Sequence, residues 1–152
     1  MVASVALALA APKGRTVELL GNPEMCFGCG TENPVGLRLK FTWENGDCLT
    51  RLHVKPEHAG WRGFLHGGVL AAALDEVMGN AVWKADLRAM TGRFTVRYRQ
   101  AVRVGEDIDV RGHIDKVGAR IIRTTAEARR PDGTLVAEAE ALYIRTKVGP
   151  EG

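Results

Sequence analysis

The first regular element of the chain is predicted from an alternating pattern between residues 37 and 44. Every second side chain there is apolar and those between are polar or charged, the apolar set being Leu37, Leu39, Phe41 and Trp43. A period of two places these side chains on one face, which predicts a strand with one buried side. Asn45-Gly46 follows directly and is the strongest two-residue signal for a hairpin turn, so residues 47–54 are predicted to form the return strand.

The spacing of the apolar side chains changes after a loop over residues 55–63. Apolar side chains then recur every three to four positions, in one stripe of Val69, Ala73, Val77 and Ala81 and a second stripe of Leu70, Leu74, Met78 and Val82. This spacing predicts a helix from about Gly68 to Lys84. The two adjacent stripes indicate that the helix buries a broad surface.

Only strand patterns follow the helix, over residues 93–104, 107–117, 120–130 and 134–146. The connections are short, which favours antiparallel pairing, because parallel strands need crossovers of a dozen residues or more. The order of elements predicts an α+β fold, with one long helix wrapped by a curved antiparallel sheet. Sheet edges and an apolar helix on so small a domain favour assembly into at least a homodimer.

Length and composition narrow the class of protein. The chain has 152 residues and a net charge of +3, with 45% hydrophobic and 26% charged residues. We expect one domain over residues 21–148, preceded by an extension over residues 1–20. No basic patch suggests nucleic acid as a partner. The apolar N-terminus has no Lys or Arg before its apolar run and is too short to span a bilayer, so no membrane segment is expected and a targeting segment is the less favoured alternative.

The cysteines raise the question of a metal site. Their odd number, three, argues against a disulfide framework and favours a reducing cytoplasm. Cys26 and Cys29 have the spacing of a zinc-binding pair, but a structural zinc site needs four ligands and no second pair is present. Cys48 and His53 are the remaining candidates. We therefore expect no metal, with the two thiols buried under the N-terminal loop.

Three segments in order resemble one known family. They are CFGCGTENPVGLRL, HGGVLAAALDEVMG and FTVRYRQAVRVGEDIDV. Together they resemble the hotdog-fold thioesterase superfamily, in particular the phenylacetate-type acyl-CoA thioesterases. The resemblance implies a helix wrapped by an antiparallel sheet, homodimers or homotetramers with active sites at the dimer interface, and acyl-CoA substrates handled without a bound cofactor or metal.

The helix start and the carboxylates beyond it are the candidate catalytic residues. A helix N-terminus offers unpaired N–H groups and partial positive charge, and Gly67 and Gly68 let a thioester carbonyl approach them as an oxyanion hole. His66 either orients this turn or holds it structurally. Asp75 lies about 10 Å further along the helix, so it would serve the glycines of a partner chain, as general base or nucleophile. Glu76 is the rival carboxylate and is interpreted as a supporting or interface group.

Other residues are candidates for substrate binding. Trp61 and Phe64, with Val69 and Met78, are predicted to line an apolar acyl pocket. Thr91 matches a position where some relatives of this family place a hydroxyl near the acyl group.

Two arginines admit two interpretations. Arg97 and Arg99 share a strand face, and they either dock the phosphates of coenzyme A or pair with glutamates such as Glu138 on a neighbouring strand. The sequence leaves both interpretations open.

One departure from the family pattern bears on activity. Many relatives carry Asn or Gln six or seven residues before the histidine, where this chain has Ala59 and Gly60. His58 is near, and we interpret it as a solvated loop residue.

The leading hypothesis is hydrolysis of an acyl-CoA with an aromatic or medium-chain acyl group. The alternative is a hotdog domain that binds an acyl ligand without turnover.

Overall fold

A computed structural model describes residues 23–146 of the chain. The helix α1 (Gly67–Lys84) packs against a six-stranded antiparallel sheet. The strands are β1 (Thr42–Glu44), β2 (Asp47–His53), β3 (Ala89–Tyr98), β4 (Asp107–Val117), β5 (Ile121–Arg129) and β6 (Leu135–Arg145). Their order in the sheet is β1-β2-β4-β5-β6-β3. The predicted α+β arrangement is confirmed, and the predicted extension over residues 1–20 lies outside the described residues.

The first predicted strand is much shorter than its alternation suggests. Leu37 and Leu39 are only 7% and 5% exposed, but β1 begins at Thr42 and Trp43 is 40% exposed. Arg38 adopts φ 53°, in the left-handed region that no regular strand uses. Before β1 the backbone bonds instead to the N-terminal loop, through Leu37 N–H to Phe27 O and Leu39 N–H to Gly28 O. The alternation therefore predicted the burial of Leu37 and Leu39 correctly, but it was wrong about the burial of Trp43 and about the length of the strand.

The hairpin turn is confirmed. Asn45 and Gly46 have φ of 51° and 88°, both positive, as a type I′ turn requires. The turn joins β1 to β2, with Glu44 paired to Asp47.

The core lies between α1 and the concave face of the sheet, and the helix contacts β2, β3, β4, β5 and β6. Leu70, Leu74, Val77 and Met78 are buried there. A Cβ on Gly112 of β4 would lie 2.6 Å from the backbone carbonyl of Val77. The helix backbone therefore rests directly on β4 at Gly112, without an intervening side chain.

The strand after the helix ends earlier than its pattern. β3 ends at Tyr98, although the alternation continues to residue 104. The segment beyond it bonds to the loop before α1, through Leu65 N–H to Val102 O and Val104 N–H to Gly63 O. These bonds fix the loop that leads into the helix.

Candidate active site

The helix start is capped by its own histidine. His66 is the N-cap residue, and its Nδ1 accepts a hydrogen bond of 2.9 Å from Gly68 N–H. The donor that we expected to face the substrate, Gly68 N–H, is therefore occupied in this chain. Gly67 N–H makes no hydrogen bond with any residue between 23 and 146. Gly67 is thus the candidate backbone donor at this helix terminus.

The loop before the helix packs closely against His66. His66 N–H donates to His58 O at 2.9 Å, and Gly60 N–H donates to Phe64 O at 2.8 Å. A Cβ on Gly60 would lie 3.0 Å from His66 Cδ2, tighter than an ordinary contact. The backbone at Gly60 therefore packs against the histidine.

The interpretation of His58 as solvated is wrong. Its side chain is only 7% exposed, and its Nδ1 accepts a hydrogen bond of 3.1 Å from Lys55 N–H. Burial lowers the pKa of the imidazole, which keeps it neutral near pH 7. The nitrogen that accepts from Lys55 is therefore held inside the loop and serves its structure.

Tyr98 covers the start of the helix, and the sequence pattern did not reveal it. Its hydroxyl donates to Gly67 O at 2.6 Å, and a Cβ on Gly67 would lie 3.3 Å from its ring. Burial raises the pKa of this phenol. A cleft of about 290 Å³ opens beside the pair, lined by Leu65, Gly67, Leu70, Tyr98, Arg99 and Val102.

Asp75 is held through one of its two carboxylate oxygens. Oδ1 accepts hydrogen bonds of 2.9 Å from the hydroxyls of both Thr91 and Tyr143. Tyr143 also donates to the main-chain oxygen of Asp75 at 3.1 Å. Oδ2 accepts no hydrogen bond from the part of the chain that the structure describes. The carboxylate is thus oriented by two hydroxyls with one oxygen left for another partner.

Tyr143 was missed because it sits in an apolar strand pattern. It lies opposite Thr91 in the pairing of β3 with β6, so the two hydroxyls approach Asp75 together. Burial, and then the charge of Asp75, raise the pKa of Tyr143 far above its usual range, so it stays a donor. A signal was present in the sequence: a tyrosine on the helix-facing side of an alanine-rich strand needs a polar partner inside.

Glu76 points to a different neighbourhood. Cys26 Sγ donates to its Oε1 at 3.6 Å, and Asn80 Nδ2 donates to its Oε2 at 3.3 Å. Burial raises the pKa of this carboxyl. A Cβ on Gly28 would overlap the Glu76 side chain. Glu76 therefore contacts the N-terminal loop, and within the described residues it makes no hydrogen bond with the hydroxyls at Asp75.

The predicted acyl pocket is not assembled within one chain. Trp61 is 77% exposed, and Phe64 is half-buried beneath the guanidinium of Arg103, 5.3 Å from its ring centre. Met78 is fully buried in the core, where its sulfur accepts a hydrogen bond from Thr124. The assignment of Met78 to a substrate pocket is therefore wrong.

The two candidate arginines pair with one glutamate. Arg99 Nη2 lies 2.6 Å and Arg97 Nη1 3.8 Å from Glu138 Oε1. This is the ion pairing that one of the two interpretations predicts. Arg99 also lines the cleft beside Gly67.

The two halves of the candidate site are far apart in one chain. Gly67 and Asp75 are eight residues apart on α1, which is about 12 Å along the helix axis. β3 connects them at the edge of the sheet, with Thr91 beside Asp75 and Tyr98 beside Gly67. Asp75 therefore cannot act on a group bound at Gly67 of its own chain.

Comparison with solved structures identifies the fold. A crystal structure of a thioesterase superfamily protein has a TM-score of 0.77 and 25% identity, covering 91% of this chain and 75% of that chain. The E. coli PaaI protein from the phenylacetic acid degradation operon has a TM-score of 0.68 and 16% identity, covering 72% of this chain and 80% of that chain. The architecture is the hotdog fold.

A third neighbour is a hypothetical thioesterase from Streptococcus pneumoniae, solved with coenzyme A. It has a TM-score of 0.68 and 18% identity, and the match covers 71% of this chain and 85% of that chain. Structures of its variants replace one aspartate and one threonine by alanine, at positions sixteen residues apart.

Sequence comparison identifies the family. The thioesterase superfamily model matches residues 62–137, half of the chain, and the chain belongs to this superfamily. Acyl-coenzyme A thioesterase THEM4 of Xenopus laevis is 29% identical over 91 residues, 59% of this chain. The match spans only 41% of the length of that relative.

No helix within residues 23–146 is long and apolar enough to cross a membrane.

Proposed function

We propose that this protein hydrolyses acyl-CoA thioesters, with Asp75 as the reacting carboxylate. The observation that carries the proposal is the geometry at Asp75, where Oδ1 is held by Thr91 and Tyr143 and Oδ2 is left to meet a water molecule or a thioester carbon. The spacing from Asp75 to Thr91 equals that of the two residues replaced in the pneumococcal structures. Names of relatives support coenzyme A thioesters as the substrate class.

The start of α1 supplies the second half of the reaction. Attack on a thioester places negative charge on the carbonyl oxygen, and a free N–H at a helix N-terminus stabilises such charge. Gly67 N–H is the donor in this proposal, and Gly68 keeps its bond to His66. His66 then acts by holding the glycine turn.

Two copies of the chain complete one site. β3 is an edge strand with Thr91 near one end and Tyr98 near the other. Pairing β3 antiparallel with its counterpart in a second copy would bring the Thr91 end, with Asp75, beside the partner's Tyr98 end, with Gly67. We therefore propose a homodimer as the smallest active unit, with a tetramer as a larger assembly of the same unit.

The bond changes balance with water as the co-substrate. Asp75 takes a proton from water while the water oxygen bonds to the carbonyl carbon, and the carbon–sulfur bond then breaks. The thiolate of coenzyme A leaves and is protonated, which yields a free acid and a thiol. Alternatively the Asp75 carboxylate attacks the carbonyl carbon, the carbon–sulfur bond breaks and the coenzyme A thiolate leaves and is protonated; water then hydrolyses the acyl-aspartate to the free acid and restores the Asp75 carboxylate. Neither route needs a bound cofactor, and we place the reaction in the cytoplasm.

The acyl group enters beside Gly67. The cleft there is lined mainly by apolar residues, with Arg99 at its side. The apolar lining favours an aromatic or medium-chain acyl group. Arg99 would bind a phosphate of coenzyme A if its guanidinium moved away from Glu138. The amide-free positions Ala59 and Gly60 favour the second candidate function, binding of an acyl ligand without turnover.

Release of free thiol from a panel of acyl-CoAs separates the two functions. Wild type is expected to release thiol, and Asp75→Asn to bind the same ligands with almost no release. Absence of release from every acyl-CoA, with binding retained, would establish the second candidate.

Gly67→Pro tests the backbone donor. Proline suits the first position of a helix, and His66 has the extended ψ of 130° that a following proline requires. The change removes the N–H, and Gly67→Ala is the matched control that keeps it. Both variants add a Cβ that meets the Tyr98 ring at 3.3 Å, so we expect Gly67→Ala to retain part of the activity and Gly67→Pro, which also lacks the N–H, to be inactive.

Mixing two inactive variants tests the shared site. In a dimer of Asp75→Asn with Gly67→Pro, one site carries both defects and the other carries neither. An equimolar mixture exchanged to equilibrium should regain about a quarter of wild-type activity, because half of the dimers are mixed. No recovery after verified exchange would show that Asp75 and Gly67 of one chain act together.

A further inference from the structure

Cys26, Cys29 and Glu76 bring three potential metal ligands to one point between the N-terminal loop and α1. One ligand atom from each lies within 4.8 Å of the other two, and all three residues are half-buried. We propose that these side chains form a binding site for a zinc-like divalent metal ion, separate from the carboxylate of Asp75.

The spacing suits tetrahedral coordination. With zinc–sulfur bonds of about 2.3 Å and zinc–oxygen bonds of about 2.0 Å, neighbouring sulfur and oxygen ligands lie about 3.5 Å apart. Cys26 Sγ and Glu76 Oε1 are separated by 3.6 Å. Two thiolates with one carboxylate favour zinc over magnesium or calcium, which prefer sets of oxygen ligands.

The local backbone is shaped to admit the carboxylate between the thiols. Gly30 N–H donates to Cys26 O at 2.8 Å and closes the turn that carries both cysteines. Gly28 lies between the cysteines in sequence, and a Cβ there would overlap Glu76. The glycine therefore lets a helix side chain reach a loop that any larger residue would push away.

The sequence did not indicate this third ligand. Of the two further ligands that it offered, His53 bonds to Asp107 at 2.7 Å, and neither His53 nor Cys48 belongs to the cluster. Glu76 joins the cysteines across 47 to 50 positions only because α1 packs against the loop. Within residues 23–146 the cluster has three members, so water would take a fourth coordination position.

The site would fix the N-terminal loop to the helix one residue away from Asp75. Without metal, burial raises the pKa of the Cys29 thiol and keeps it protonated. Because the thiolate is the form that binds a metal, coordination would release the proton of the Cys29 thiol as its sulfur–metal bond forms. The metal would act as a cross-link, without contact to the substrate.

Cobalt titration of the full chain tests the proposal. Protein stripped by a chelator under reducing conditions is titrated with Co²⁺, followed by thiolate-to-cobalt charge transfer and by the visible bands of tetrahedral cobalt. We expect one ion per chain, displaced by Zn²⁺ with loss of the bands. Wild type that shows no charge-transfer band would overturn the proposal.

Variants connect the signal to the three residues. Cys29→Ser and Glu76→Gln are each expected to weaken binding by more than about 100-fold. Cys48→Ser, a change at the buried cysteine outside the cluster, should bind normally, and so should Asp75→Asn. Circular dichroism checks that each variant is folded, and Cys26→Ser replaces Cys29→Ser if the latter is not. Equal loss in Cys48→Ser would contradict the site. This readout is independent of thioester hydrolysis, so either proposal can fail alone.

Discussion

Asp75 and Glu76 are neighbours on one helix and have entirely different surroundings. They project about 100° apart around α1. Asp75 faces β3 and β6, where Thr91 and Tyr143 hold one oxygen and the other is unbonded within the described residues. Glu76 faces the N-terminal loop, where Cys26 donates to one of its oxygens, and Asn80 of the same helix donates to the other. The first carboxylate is oriented and available, and the second is enclosed.

The difference shows that the packing partner of each helix face decides the chemistry of its acids. Hydroxyl donors on β3 and β6 orient the carboxylate of Asp75 and leave one of its oxygens without a partner in the described residues. A thiol of the loop and an amide of the helix occupy both oxygens of Glu76.

The largest expected difference is in turnover. Asp75→Asn should lower kcat for acyl-CoA hydrolysis by about 10²–10⁴-fold, the usual contribution of a general base. Glu76→Gln should change kcat by less than about tenfold, because Glu76 bonds to Cys26 and Asn80 and not to the hydroxyls that hold Asp75. Thiol release under saturating substrate measures both. Equal losses would remove the functional distinction between the two acids.

The next largest loss of activity should come from removing the hydroxyls that hold Asp75. Tyr143→Phe and Thr91→Val should each lower kcat/KM by roughly tenfold to 100-fold, since a hydrogen bond to a charged group contributes about 1.5–3 kcal/mol. The double variant should lose less than the product, because both hydroxyls act on Oδ1. Thr95→Val, at an exposed threonine on the same strand, is the matched control. A loss of similar size in Thr95→Val would point to a general effect on β3.

Changes in the loop that packs against Glu76 should alter the stability of the fold. Gly28→Ala should reduce the free energy of unfolding by about 1–3 kcal/mol, because the new Cβ overlaps Glu76. Gly79→Ala places a Cβ 3.4 Å from the Tyr143 hydroxyl, an ordinary contact, and should change stability by less than about 1 kcal/mol. Urea unfolding measures both variants. If Gly28→Ala were as stable as wild type, Glu76 would not be confined by the loop.

The smallest effect should be a pH dependence at Glu76. Burial raises the folded pKa of this carboxyl above its ordinary value of 4.5. Folding therefore favours the protonated form, and this contribution to stability is present below pH 4.5 and lost as pH rises through the folded pKa. In metal-free protein, the stability of Glu76→Gln relative to wild type should increase from pH 4 to pH 8. A constant difference in urea midpoint across that range would contradict the pKa shift.

Periodicity predicted the elements well, because it reports which faces are buried. α1 begins at Gly67 and ends at Lys84, within one residue of the predicted bounds, and β4 matches its predicted range. The predicted length of the first strand was wrong because Arg38 takes a left-handed conformation. Alternation records burial and carries no information on φ.

The candidate site was predicted less completely, because its contacts join distant parts of the chain. Asp75 and the glycine turn stood out through their local spacing. Tyr143 meets Asp75 across 68 positions, and Glu76 meets Cys26 across 50. The capping of Gly68 by His66 is local, but it depends on the orientation of a ring, which composition does not reveal.

The contact between Gly112 and the backbone of Val77 sets the rotational phase of α1. A helix cushioned by side chains can roll on a sheet as those side chains change rotamer, whereas backbone resting on backbone has no such freedom. Since one residue corresponds to about 100° of rotation, a roll of that size would turn Glu76 to the side that Asp75 now faces. A glycine on β4 thus helps to decide which of two adjacent acids faces the hydroxyls of Thr91 and Tyr143.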